Sequence, residues 1–334
     1  MEGIVLITGA NGFIGSFIIE EALKKSYKVL AAVRNTAKKL AIENTAIEKV
    51  TLSFGDKDLM TKQLKAIIEQ YGKIDYVIHN AGITQANNTA EFHKINAQAA
   101  FDFAQALIDA KIPLKKFVLI SSLAAYGPGN QLFEPIQPNS KYAPISAYGS
   151  SKMEAEKLIK QLPNLPYIFI NPTAVYGPRD KDFLEFIQLV NKGWEINLGW
   201  HKQVVSMIYV KDLAKAIIGL MDSTAMHKSF FVSDGQAYPK KVLGTTVKNI
   251  LGKKTISLTI PLTPVLAIVK IIDWFYALFG KRAFLNAEKL KEISSANWHC
   301  NSRSTWETIG SNPDYLLEKG LSEAINWYKN NHWL

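Results

Sequence analysis

A single cysteine, Cys300, stands in a chain of 334 residues. No internal disulfide is therefore available, and a reducing compartment is the expected setting. Met1 leads straight into Ile4-Val5-Leu6-Ile7 and then glycines, without the basic start and cleavage region of a signal peptide. Export is not expected, and the location read from this is cytoplasmic. No second histidine or carboxylate joins His79 at metal-ligand spacing, so His79 reads as a buried spacer and no metal site is expected. No Gly-x-Ser-x-Gly elbow surrounds the candidate serines and no histidine is placed to activate them, which argues against a nucleophilic hydrolase. Zinc knuckles, a basic helix and interleaved basic-aromatic strands are all missing, so nucleic acid is not an expected partner. The formal net charge of +10 then suits other anions, such as cofactor phosphates or lipid headgroups. No repeat or low-complexity linker interrupts the chain, and its apolar content is ample for a core.

What is present begins at the N-terminus. Ile4 to Ile7 is a short apolar run of the kind buried in a parallel sheet. Thr8-Gly9-Ala10-Asn11-Gly12-Phe13-Ile14-Gly15 follows at once and opens a helix from Phe13 to about Lys25. In this order Gly9 permits a tight turn, Gly12 lets backbone approach a pyrophosphate, and Gly15 lets the helix pack on the strand. Free N–H groups at the helix start, with Asn11, Phe13 and Ile14 around it, complete a dinucleotide site. The second strand, Val29 to Val33, ends in Arg34 where an acidic residue would serve the ribose hydroxyls of NAD. Arg34 with Lys38 and Lys39 suits a 2′-phosphate instead, so NADP is the expected cofactor and NAD the alternative.

Val50 to Phe54 reads as a third strand, with Asp56 placed to meet the adenine, and Leu59 to Glu69 as a helix. Tyr76-Val77-Ile78 is a further strand, ending in His79-Asn80-Ala81-Gly82, whose small residues let backbone lie along the cofactor. The helix Glu91 to Ala110 carries Asn96, a candidate holder of a relay water. Strand Phe117 to Ile120 delivers Ser121-Ser122 at its carboxyl end, where sheets of this kind bind ligands. A serine there can hydrogen-bond a carbonyl oxygen as charge develops on it. A proline-rich loop, Pro128 to Pro144, follows as a substrate rim.

Tyr148 and Lys152 lie four residues apart, hence one helical turn above each other on one face. A phenol with a reference pKa of about 10 must fall by roughly 3 units to act near neutrality, worth about 4 kcal/mol. The Lys152 ammonium is expected to supply much of that.

These residues resemble the extended short-chain dehydrogenase/reductase superfamily, the epimerase/dehydratase type, across nearly the whole chain. The motifs are Thr8-Gly9-x-x-Gly12-x-x-Gly15, His79-Asn80-Ala81-Gly82, Ser121-Ser122-x-x-x-Tyr126-Gly127, Tyr148-x-x-x-Lys152, Pro172 to Pro178 and Tyr209-Val210-Lys211-Asp212. The resemblance implies an α/β fold: a doubly wound Rossmann parallel sheet over 1–177 plus 206–235, and a smaller, mostly C-terminal substrate domain from 178–205 plus 236–334. It implies that Ser122 orients the carbonyl or hydroxyl, that Tyr148 is the acid/base, and that Lys152 lowers its pKa and holds the nicotinamide ribose. It further implies Asn96 in the relay, Ser121 beside the cofactor, Pro172 and Val175 near the nicotinamide amide, and a homodimer through the helices bearing Asn96 and Tyr148.

Within the superfamily, Val33-Arg34-Asn35, Tyr148 to Lys157 and Ile170 to Thr173 resemble the dihydroflavonol reductase and 3β-hydroxysteroid dehydrogenase side. Sugar-nucleotide dehydratases carry an Asp-Glu pair where this chain has Leu123-Ala124, and Val205 stands where epimerases tend to place a phosphate-binding arginine. Three readings follow: an NADP-dependent reductase of a bulky apolar keto or hydroxy substrate, an NAD-dependent nucleotide-sugar epimerase, or a cofactor-sensing regulator without turnover. The stretch Pro261 to Phe279 is apolar but contains Lys270 and Asp273, so a transmembrane span is not expected. It reads as a helix walling the pocket or lying at an anionic membrane surface, bordered by Lys253-Lys254 and Lys281-Arg282. The tail aromatics Trp298, Trp306, Trp327, Tyr328 and Trp333 are expected mostly in a core.

Overall fold

The computed structural model describes residues 3–33, 39–277 and 287–334. Its first half alternates strand and helix: β1 (Ile4–Thr8), α1 (Phe13–Lys24), β2 (Lys28–Val33), β3 (Ile47–Thr51), α2 (Lys57–Tyr71), β4 (Tyr76–His79), α3 (Thr89–Phe92), α4 (Ala99–Asp109), β5 (Lys116–Ile120), α5 (Ala147–Ile159), β6 (Tyr167–Pro172) and β7 (Ala174–Tyr176). There follow α6 (Lys181–Asn191), β8 (Trp194–Leu198), β9 (Val204–Val205), β10 (Met207–Tyr209), α7 (Val210–Asp222) and β11 (Lys228–Val232). The last third holds β12 (Tyr238–Pro239), α8 (Lys241–Leu251), β13 (Ile256–Ile260), α9 (Leu262–Ala277), α10 (Ala287–Ser294), β14 (Asn297–Trp298), α11 (Arg303–Ile309) and α12 (Leu317–Asn330).

Seven strands form one sheet in the order β3-β2-β1-β4-β5-β6-β11, every pair parallel. The strand order reverses between β1 and β4, which opens a crevice at their carboxyl ends. Both faces are covered, and β1 shows why its sequence is a continuous apolar run. Leu6 packs with Leu64 of α2, Phe103 of α4 and Ile159 of α5. Val5 and Ile7 pack on the other face with Ile18 of α1 and Ile217 of α7. This is the expected doubly wound α/β Rossmann architecture.

Two local expectations are corrected. The third strand runs Ile47–Thr51 rather than 50–54, because its register with β2 ends at Val33↔Thr51 and the chain turns at Gly55, φ +110°. The helix expected over 91–110 is interrupted: His93–Gln98 form a π-helical stretch between α3 and α4.

Outside the large sheet, β9 joins β12 and β14, β8 pairs with β13, and β7 with β10. A separate cluster holds Tyr176, Ile187, Val190, Val247, Leu321 and Tyr328, joining α6, α8 and α12. One stretch of 236–334 packs against the large sheet: α11 lies on α7 and β11, with Trp306 buried beside Leu213 and Phe230. Tyr328 is fully buried as well, and Trp327 and Trp333 flank the smaller cluster.

Candidate active site

The crevice at β1 and β4 is built by close backbone approach. Gly9 has φ +67°, and a Cβ there would stand 2.8 Å from the Asn80 carbonyl. A Cβ on Gly15 would meet the Gly9 carbonyl at 2.1 Å, so α1 packs on the turn only because residue 15 has no side chain. Helix α1 starts at Gly12 with no side-chain cap, leaving its first N–H donors aimed outward past exposed Asn11 and Gly12 and partly exposed Phe13 and Ile14. Uncapped donors at a helix start, beside a turn that side chains would fill, suit a dinucleotide pyrophosphate.

Thr8 locks the two strands together. Its Oγ1 accepts from the N–H groups of Asn80 at 3.1 Å and Ala81 at 3.0 Å and lies 3.0 Å from His79 Nδ1. His79 is buried and its pKa falls to about 3, through burial and the Lys152 charge, so it remains neutral. No group of metal-ligating side chains occurs among the described residues.

The π-helical stretch has a visible purpose. It carries Asn96, whose Oδ1 accepts from Ile83 N at 2.8 Å and whose Nδ2 donates to Ile83 O at 2.9 Å and Ser151 Oγ at 3.0 Å. The amide is thereby committed to pinning the loop after β4 and the helix α5, and π-bulges of this kind favour functional sites. Gly82 makes room between two groups: a Cβ there would lie 3.0 Å from Asn96 Oδ1 and 3.3 Å from Lys152 Nζ.

Ser122, at the end of β5, caps the short 3₁₀ turn Leu123–Ala125 by accepting from Ala124 N at 3.1 Å. Its side chain stands near enough to the Tyr148 phenol to favour the ionised form. Lys152 Nζ lies 6.0 Å from the centre of the Tyr148 ring. The structure thus brings Ser122, Tyr148 and Lys152 together across the gap between β5 and α5.

The electrostatics differ from the sequence expectation. Lys152 donates to Ile120 O at 2.9 Å, and its pKa is lowered to about 8 by burial, against the pull of Glu156. Burial pushes the Tyr148 phenol up to about 12; the nearby Ser122 side chain opposes this and the Glu292 charge adds to it. Burial is the largest influence on the phenol here, and the Lys152 ammonium, held at Ile120 O, is not among those that set it. In this state Tyr148 is a held proton.

Glu292 and Glu288 were not visible as site residues in the sequence. Both come from α10: Glu288 accepts from Ala147 N at 2.8 Å, and Glu292 accepts from Ser146 Oγ. Ser146 caps α5, so two carboxylates from far along the chain sit on the N-terminus of the helix that carries Tyr148, where its dipole favours negative charge. Nothing in the spacing of Glu288 and Glu292 signals this, because the contact crosses more than 140 positions.

The remaining candidates fall as follows. Ser121 turns from the crevice and donates to the buried Glu156 at 2.5 Å, beside Asn171 Nδ2 at 2.6 Å and the Tyr142 hydroxyl at 2.6 Å. Asp56 is exposed and accepts from Leu59 N at 2.9 Å as the cap of α2, so its carboxylate already has a structural task. Pro172 ends β6 against Val232 of β11, and Val175 is half-buried in β7. Arg34 and Lys38, on which the NADP reading depends, lie outside the described residues.

Known proteins agree with this geometry. The model of the NAD dependent epimerase/dehydratase family matches residues 5–231. The chain is 27% identical to a UDP-glucose 4-epimerase of Vibrio cholerae, covering 97% of this chain and 95% of that one. It is 23% identical to a ceramide reductase of Caulobacter vibrioides, covering 100% and 96%. Among solved structures, the UDP-glucose 4-epimerase of Thermotoga maritima superposes with a TM-score of 0.78 at 20% identity, covering 98% and 99%. Since the family match takes in the glycine turn, the serine and the tyrosine–lysine pair together, the chain belongs to the NAD dependent epimerase/dehydratase family, as an extended short-chain dehydrogenase/reductase enzyme.

Proposed function

We propose that this enzyme is an NADP-dependent oxidoreductase acting on a bulky apolar keto or hydroxy substrate, such as a sterol-like, long-chain 3-keto acyl or keto-sphingolipid molecule. The carrying observation is the placing of Ser122 and Lys152 beside the Tyr148 ring, with Leu123 and Ala124 following the serine. A bound nicotinamide supplies or takes the hydride. Ser122 steadies the substrate oxygen, and Tyr148, held protonated up to a pKa of about 12, donates the proton that converts a carbonyl to an alcohol. Lys152, anchored on Ile120 O, stands beside the ring as the cation for the cofactor ribose.

The substrate class rests on what the site has for phosphate. Only four arginines occur in the sequence. Arg179 is committed to Ser16 and Glu20, and Arg303 pairs with Glu307. Among the described residues, then, each arginine already has a partner, Arg34 and Arg282 lie outside them, and Val205 is paired between Tyr238 and Trp298. The ceramide reductase relative, similar over 100% of this chain, supports a lipid substrate. The fixed positive charge of Arg34 and Lys38 in the sequence supports NADP.

The test is turnover of purified enzyme with NADPH and with NADH on keto-sphingolipids and keto-steroids, set beside interconversion of UDP-sugars. Faster NADPH oxidation on a keto-lipid is expected. The 27% identity to a UDP-glucose 4-epimerase favours a second reading, epimerisation with retained NAD, and UDP-sugar interconversion without keto-lipid turnover would establish it instead.

A further inference from the structure

The two-stranded sheet β8–β13 is built inside out. Its register pairs Trp194 with Ile256, Ile196 with Leu258 and Leu198 with Ile260, so alternation places all six on one face. That face is turned to solvent: Ile256 is 63% exposed, and Trp194, Ile196 and Leu258 are exposed too. The charged residue between them, Glu195, is only 6% exposed and faces inward, 4.0 Å from Lys248 Nζ and against Gly244 of α8. A soluble strand pair normally does the reverse.

The apolar surface continues on both sides. Trp200, just after β8, is 72% exposed. Strand β13 passes through Pro261 into α9, where Ile271 is 66% exposed and Ile268 and Ile272 are exposed beside it. Contiguous apolar surface of this extent marks an interaction site. Its charges are mostly positive. Across 192–202 and 253–277 the sequence has Lys192, Lys202, Lys253, Lys254 and Lys270, all exposed, against two acids, Asp273 and the inward-facing Glu195.

We propose that this face, formed by β8, β13, the Trp200 loop and α9, docks the enzyme on the surface of an anionic lipid bilayer. Tryptophan and branched apolar side chains enter the interfacial layer while the lysines meet lipid phosphates. No described helix is long and apolar enough to cross a membrane, so α9 lies along the surface. A second copy of the chain is disfavoured as the occupant, since a two-fold contact through this patch brings two lysine rims together. The docked face adjoins the catalytic helix, because α9 packs on α10 and α10 holds the start of α5 through Glu288 and Glu292. The proposal stands on this surface alone and is independent of which substrate the enzyme reduces.

The test is sedimentation of the full chain with vesicles of phosphatidylcholine alone and of phosphatidylcholine mixed with phosphatidylglycerol. The wild type should pellet with the mixed vesicles, weakly with the neutral ones, and less in high salt. The double variant Trp200→Ser/Ile256→Ser and the charge variant Lys253→Glu/Lys254→Glu, each checked for unchanged melting and unchanged NAD(P)H binding, should lose roughly ten-fold or more in vesicle partition. Absence of pelleting with anionic vesicles overturns the proposal. So does a concentration-dependent dimer that Trp200→Ser/Ile256→Ser abolishes while vesicle partition stays at the wild-type level.

Discussion

Glu292 accepts a hydrogen bond from Ser146, the residue that caps the helix carrying Tyr148. Its carboxylate thus stands at the start of the catalytic helix and helps hold the phenol up at about 12. Removing that charge makes the phenolate less unfavourable. In Glu292→Gln the basic limb of the pH–rate profile should move to lower pH. An unmoved limb would separate Glu292 from the titration of Tyr148.

Tyr148→Phe removes the phenol that the proposed function uses as proton donor and keeps the ring. Turnover should fall by roughly 10²- to 10⁴-fold with NAD(P)H binding retained. Ser122→Ala removes a group on the reacting oxygen and should cost about 10²-fold in kcat. Steady-state kinetics with fluorescence titration of the cofactor checks both, and wild-type turnover in Tyr148→Phe would remove its assigned role.

Asn96 satisfies both backbone groups of Ile83 and ties them to Ser151. Replacing it by Leu leaves the part-buried N–H and C=O of Ile83 without their partners, at a cost of about 1 kcal/mol. A lowered midpoint in thermal or urea unfolding is expected, together with weaker cofactor binding through the displaced loop at Gly82. An unchanged midpoint would show that the π-helical stretch is held by other contacts.

Asp180 caps α6 by accepting from Asp182 N at 3.0 Å, yet burial raises its pKa to about 7. Between its unfolded pKa near 3.9 and about 7 the folded state holds the extra proton, so stability falls as pH rises through that window. Asp180→Asn keeps the capping oxygen and removes the penalty. It should stabilise the protein by about 1–3 kcal/mol at about pH 8 and by roughly a third of that at about pH 5. Urea unfolding at the two pH values decides the matter, and an equal effect at both would place the origin elsewhere than in this carboxyl.

The parallel sheet and the glycine turn were legible because each is local: an apolar run, three glycines and a helix start follow one another within a dozen residues. That Ser122, Tyr148 and Lys152 stand close together was legible for a related reason, since a helical turn fixes the last two and a strand end the first. The π-helical stretch was not, because His93 to Gln98 has ordinary helix-forming residues and the extra backbone turn is set by the demand of Asn96 for Ile83. The third strand was misplaced by its alternating Val50 to Phe54, whose pattern continues past the point where pairing with β2 stops. The raised phenol was hidden by distance along the chain, since burial and Glu292 set it and neither is visible from the helical spacing of Tyr148 and Lys152. The outward apolar face of β8–β13 was equally hidden: alternation shows two faces, and only packing against α8 decides which one is inside.

The contact between α10 and the start of α5 also bears on the order in which the molecule is completed. Domains gain structure as the polypeptide emerges, and β11, the last strand of the large sheet, ends at Val232. A nascent chain released at that point contains every strand of the crevice together with Ser122, Tyr148 and Lys152, yet it lacks Glu288 and Glu292, so the charge at Tyr148 is set only when α10 has been synthesised.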